Sequence, residues 1–168
     1  MPIARAQEIL KHQFGYDEFR MNQQAAVECV LARKDCLVLM PTGGGKSLCY
    51  QIPALMQDGL TVVVSPLIAL MKDQVDALRL NGVKAAFLNS SQESSVQQEV
   101  IASIRSGDVR ILYIAPERLL QSSGQFIDFL KSLRVSLFAI DEAHCISSWG
   151  HDFRPEYRRL VELRERFP

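Results

Sequence analysis

Five short, largely apolar runs recur along this chain, at residues 36–39, 61–64, 84–88, 110–114 and 137–140. None alternates apolar with polar residues, as a half-solvated strand would. Between them lie stretches whose apolar residues recur at helical spacing. Strands buried on both faces and alternating with helices predict an α/β fold, a mainly parallel sheet covered by helices on both sides. In such a sheet the crossovers are right-handed, and ligands collect at the carboxyl ends of the strands.

The connecting segments fit this plan. Residues 3–13 read as a short amphipathic helix, and Asn22 is placed to cap a second. Leu67, Leu70, Met71, Val75 and Leu78 mark one face of a helix that ends at Asn81-Gly82. Ser90 and Glu93 have the spacing of a capping box opening the next helix. A helical stretch covers residues 125–133, and Pro155 suits the first turn of a closing helix.

The first apolar run leads into Met40-Pro41-Thr42-Gly43-Gly44-Gly45-Lys46-Ser47, and a helix-compatible run follows. A strand, a glycine loop and a helix in that order form a phosphate cradle. Glycines let backbone N–H groups turn inward, and the helix N-terminus adds partial positive charge. Lys46 supplies a full charge for the β- and γ-phosphates, and Ser47 a hydroxyl for Mg²⁺. Met40 stands where the general pattern has Gly.

The 168 residues suit one domain, and 48% hydrophobic content is enough for a sizeable core. Nineteen basic and nineteen acidic residues cancel, so a nucleic-acid partner has to be argued from local sites. The four cysteines form no Cys-x-x-Cys pair, which suggests neither a zinc ribbon nor a redox motif. Three of them lie in apolar segments and read as small buried hydrophobes. No run is long enough to span a bilayer, and the expected compartment is a reducing cytoplasm.

Asp141-Glu142-Ala143-His144 follows the fifth run directly. An Asp at a strand end can hold Mg²⁺, partly through water, because hard cations take oxygen ligands. The adjacent Glu142 is placed to orient and deprotonate an attacking water. With the phosphate loop expected on the same sheet edge, Lys46, Asp141, Glu142 and His144 become the catalytic set of a nucleotide hydrolase.

At this point the sequence resembles the first RecA-like domain of superfamily 2 helicases, and specifically the RecQ family of DNA helicases. Residues 14–23, including Tyr16, Arg20 and Gln23, resemble that family's adenine-recognition motif, with Met21 where the family usually has Pro. Residues 40–47 match its phosphate loop. Residues 65–74 and 113–119 match its DNA-tracking motifs. Residues 141–157 resemble its ATPase motif followed by an aromatic-rich loop, which helicases with a similar acidic motif otherwise lack.

The resemblance implies ATP and Mg²⁺ as cofactors, with no zinc in this segment. Gln23 would bond the adenine edge, between Tyr16 and Arg20. Thr42, Gly43, Gly44, Gly45, Lys46 and Ser47 would hold the phosphates, with Ser47 and Asp141 at the metal. It implies single-stranded and duplex DNA as partners, contacted by Ser65 and Arg118 and by Trp149, His151, Phe153 and Arg154 of the aromatic-rich loop. Stacking on unpaired bases and phosphate contact suit those residue types. Being continuous with Glu142 and His144, the loop would couple DNA to hydrolysis.

The same resemblance implies a 3′→5′ DNA helicase of repair and recombination, in the bacterial cytoplasm or nucleoid, with no membrane partner. Residues 1–168 would be its first RecA-like domain, with residues 1–33 as a helical segment carrying the adenine motif. The strand that follows the acidic motif, and a second RecA-like domain, would lie beyond residue 168. The chain alone is then expected to be marginally stable and nearly inactive. An RNA helicase domain and a non-catalytic nucleotide- or DNA-binding module are the alternative readings.

Overall fold

The computed structural model describes residues 2–41, 43, 45–121, 124–147 and 152–167. The chain divides into two compact units, residues 1–58 and 59–168.

The first unit is helical: α1 (Pro2–Phe14), α2 (Gln23–Leu31) and α3 (Leu48–Met56). Ala6 and Leu10 of α1, Val27 of α2, and Leu48 and Ile52 of α3 form its buried core. These residues sit at helical spacing, so each helix contributes one apolar stripe. Asn22 does precede α2, but its side chain makes no capping bond. Instead the Arg20 N–H donates to Gln23 Oε1 at 2.8 Å. Met21 has φ +49° and is exposed. Proline, locked near −65°, could not adopt that turn.

The second unit holds the sheet: β1 (Leu60–Val64), β2 (Ala85–Leu88), β3 (Ile111–Ile114) and β4 (Val135–Ile140). The strand order is β2-β3-β1-β4 and every pairing is parallel. The crossovers are α4 (Ile68–Leu80) after β1, and α5 (Ser94–Arg105) after β2. After β3 come α6 (Pro116–Leu119) and α7 (Gln125–Lys131). A 3-10 turn (Ala143–Ile146), α8 (Pro155–Arg159) and α9 (Val161–Arg166) follow β4.

β1 is buried along its whole length, and so is β3, as continuous apolar runs require. Val62, Val64, Leu112 and Ile114 pack with Ile104 of α5, Ile127 and Leu130 of α7, and Tyr157 of α8 in one core. No helix among the described residues is long and apolar enough to cross a membrane.

Three expectations are corrected. Residues 36–39 are not a strand, and among the described residues the sheet has four strands, not five. Leu37 and Leu39 are 74% and 79% exposed. A segment with no ladder partner leaves its N–H and C=O groups to water. Among the described residues β4 pairs with β1 alone, and all six of its residues are only partly buried. Second, Ser90 and Glu93 form no capping box. Glu93 is itself the residue before α5 and makes no capping bond. The turn is closed by Asn89, whose Oδ1 accepts the Ser91 N–H at 3.0 Å. An Asx turn has taken the place of the box. Third, the closing helix breaks at Leu160 into α8 and α9.

Candidate nucleotide and coupling site

In the first unit the glycine loop ends on the first turn of α3. Ser47 is the residue before the helix, in helical conformation, and Gln51 N–H donates to its carbonyl at 2.9 Å. Gly43 and Gly45 have φ +79° and +75°, a region that favours glycine. A Cβ on Gly45 would run into Gln23 Nε2, whereas one on Gly43 would meet nothing within 4 Å. Lys46 and Ser47 are partly buried. Thr42 and Gly44 lie outside the described residues.

Gln23 is 2% exposed. Its Nε2 donates to the Gly45 carbonyl at 3.0 Å, and its Oε1 accepts from Arg20. Its amide thus ties the 14–23 segment to the glycine loop. The Arg20 guanidinium lies over the Tyr16 ring at 5.8 Å. Seating a flat base between the two takes two contact distances, about 7–8 Å. As folded here, they face each other directly.

In the second unit β4 carries Asp141 out at the carboxyl end of the sheet. The Asp141 N–H donates to the Val64 carbonyl at 2.9 Å, continuing the β1–β4 ladder by one bond. Asp141 Oδ1 accepts the Glu142 N–H at 2.9 Å. Glu142 has φ +54°, a left-handed conformation that costs a non-glycine residue about 1–2 kcal/mol. That turn brings Glu142 Oε2 to 3.3 Å from His144 Nδ1.

Residues 152–157 return to this motif at three points. Asp152 Oδ2 lies 3.4 Å from His144 Nε2, on the far side of the imidazole from Glu142. The Arg154 N–H donates to the Cys145 carbonyl at 3.0 Å. The Tyr157 hydroxyl donates to the Asp141 carbonyl at 2.8 Å. Tyr157 is 1% exposed, and burial pushes its phenol well above the usual range. Phe153 is partly buried under the Arg158 guanidinium, 5.1 Å from its ring centre. The Arg154 guanidinium lies 3.9 Å from Glu117. Trp149 and His151 lie outside the described residues.

The remaining residues singled out for DNA sit elsewhere. Ser65 is 2% exposed, and its hydroxyl accepts the Leu67 N–H at 3.3 Å. Arg118 donates from Nε to Gln97 Oε1 at 2.8 Å and covers the Phe126 ring at 4.9 Å. Cys49 and Cys145 are buried, Cys29 is partly buried and Cys36 is exposed.

Sequence reasoning missed Asp152 and the hydroxyl of Tyr157. Neither shares a helix or strand with Asp141, so only the loop's path brings them back. As for a metal, Ser47 and Asp141 offer a hydroxyl and a carboxylate, the hard oxygen donors that Mg²⁺ takes while keeping waters and phosphates. Among the described residues, no three His, Cys, Asp or Glu side chains group as a metal site.

Residues 20–167 match the DEAD/DEAH box helicase family. The Haemophilus influenzae protein named ATP-dependent DNA helicase RecQ is 54% identical over 160 residues, covering 95% of this chain and 26% of the relative. Its Bacillus subtilis namesake is 54% identical over 162 residues, covering 96% and 27%. The Bacillus subtilis protein named probable ATP-dependent DNA helicase RecS is 47% identical over 165 residues, covering 98% and 32%. The chain thus spans about a quarter to a third of these relatives.

Proposed function

Because this chain belongs to the DEAD/DEAH box helicase family, we propose that it is the ATP-binding part of the motor of a RecQ-type DNA helicase. In this reading the motor tracks single-stranded DNA 3′→5′ and unwinds duplex in repair and recombination. Its relatives' names and identities support that assignment.

Lys46 and the backbone of the glycine loop grip the β- and γ-phosphates. Gln23 holds the loop in shape from behind, and with Tyr16 and Arg20 forms the adenine side. Seating adenine there requires Arg20 to lift from Tyr16. Ser47 and Asp141 hold Mg²⁺, which when bound neutralises charge on the phosphates. Glu142 orients the attacking water and takes its proton. Hydrolysis by the chain alone is slow in this reading, because a stabilising arginine from a second domain is worth about 10³–10⁵ in rate.

The observation that carries the coupling role is the threefold return of residues 152–157 onto residues 141–145. A strand docking on the loop that holds Trp149, His151, Phe153 and Arg154 would shift Asp152, and through it His144 beside Glu142. The test is ATP hydrolysis by a helicase that carries this chain with a second motor domain, with and without single-stranded DNA. Trp149→Ala and Asp152→Asn are expected to abolish most of the DNA stimulation while sparing ATP binding. Unchanged stimulation in both variants would refute the coupling role. Stimulation by RNA in place of DNA would move the chain to an RNA helicase.

A further inference from the structure

Outside that site, Arg105 and Arg118 come together on a surface lined by α5, α6 and α7. Gln97, Ile101 and Arg105 stand four residues apart on one face of α5. Facing them are Arg118 of α6 and Phe126 and Phe129 of α7, and together they line a cavity of about 350 Å³. Gln121 and Gln125 complete its rim. Among the described residues no acidic side chain lines it.

Both guanidiniums are held in place by rings. Arg118 lies 4.9 Å over Phe126, and Arg105 lies 5.5 Å over Phe129. The two rings pack against each other at 5.6 Å. Gln97 takes only the Nε hydrogen of Arg118, and among the described residues the Nη fork makes no hydrogen bond. The nearby acids are engaged elsewhere, Asp128 with Arg166 at 3.0 Å and Glu117 with Arg154. Burial lowers the Arg118 pKa, as a cation without a counter-charge should respond.

We propose that this cavity is a docking site for an acidic peptide of a partner protein, which places a carboxylate between Arg118 and Arg105 and an adjacent apolar side chain on Ile101 and Phe126. A planar guanidinium fork pairs bidentately with a carboxylate, and preset forks lose little entropy on binding. The cavity is at the small end of ligand sites, sized for side chains. It is also less suited to a nucleic-acid strand. The inward faces of both rings are covered by guanidiniums, so bases have no ring to stack on. This inference uses neither the phosphate loop nor the carboxylate motif, and it gives Arg118 a partner other than the DNA that the family resemblance implied for it.

The test is fluorescence polarisation on the 168-residue chain with a labelled peptide of alternating Glu and Leu. The controls are the same peptide with Gln for Glu and a labelled short oligothymidylate. The acidic peptide is expected to bind saturably and the neutral one not. Arg118→Gln is expected to weaken binding by about tenfold or more, as loss of charge-assisted hydrogen bonds implies. Arg105→Gln, at an exposed position that leaves the core intact, is expected to act in the same direction. Equal peptide binding by wild type and Arg105→Gln would overturn the proposal. So would absence of peptide binding, or oligothymidylate binding that depends on the two arginines in the peptide's place.

Discussion

Replacing Tyr157 with Phe removes one oxygen atom and tests how residues 152–157 hold the carboxylate motif. The hydroxyl donates to the Asp141 carbonyl at 2.8 Å, and the side chain is 1% exposed. The ring stays, so its packing in the core is unchanged. The cost is a half-buried carbonyl left short of a partner, about 1–3 kcal/mol. For a chain of this size each kcal/mol moves the melting temperature by roughly 2–4 °C. Tyr157→Phe should therefore melt about 4–8 °C below wild type, taking the middle of that range. A second readout comes from pH. Burial raises the folded phenol's pKa above its unfolded value, so between the two the folded state keeps a proton that the unfolded state has lost. Stability from this group is complete below about pH 10 and declines as pH rises beyond it. Thermal melts followed by circular dichroism at neutral pH and above pH 10 would measure both effects. The variant should lack the part of the alkaline decline that belongs to Tyr157. A melting temperature within about 1 °C of wild type, with the same alkaline profile, would refute the buried hydrogen bond.

Other perturbations separate the remaining features. Gly45→Ala should destabilise by roughly 2–4 kcal/mol, from the left-handed backbone and the displaced Gln23 amide. Gly43→Ala, with open space around its Cβ, should cost only the backbone part, about 1–2 kcal/mol; urea melts compare the two. Leu37→Gln and Leu39→Gln should change stability by no more than about 0.5 kcal/mol, because both leucines are exposed; a loss of several kcal/mol would show a buried strand at 36–39. Iodoacetamide at pH 8, with labelling read by mass spectrometry, should modify exposed Cys36 well before Cys49. Burial holds the Cys49 thiol up at about 11, and equal rates would contradict its burial.

The sheet was legible because its runs at 61–64, 84–88, 110–114 and 137–140 need cover on both faces, and a parallel α/β layer supplies it. The run at 36–39 carries the same signal, yet it forms no strand, and Leu37 and Leu39 are exposed. Periodicity reports what a segment could bury, not whether a neighbour is present to pair with it. The glycine loop and the Asp141–His144 motif were legible from local order, strand then loop then chemistry. The Gln23 clamp on Gly45, the imidazole of His144 between two carboxylates, and the Tyr157 hydroxyl under Asp141 were not. Each joins residues through tertiary packing that no local period encodes. Ser65 shows the converse, since a polar residue at a strand end can spend its hydrogen bonds inside the fold.

The most direct measurement is a calorimetric titration of this chain with Mg²⁺ and ATP, repeated on Lys46→Ala. The account predicts weak but saturable binding at one site, lost in the variant. Equal binding by both proteins, or none by the wild type, would contradict the claim that residues 40–47 grip a nucleotide.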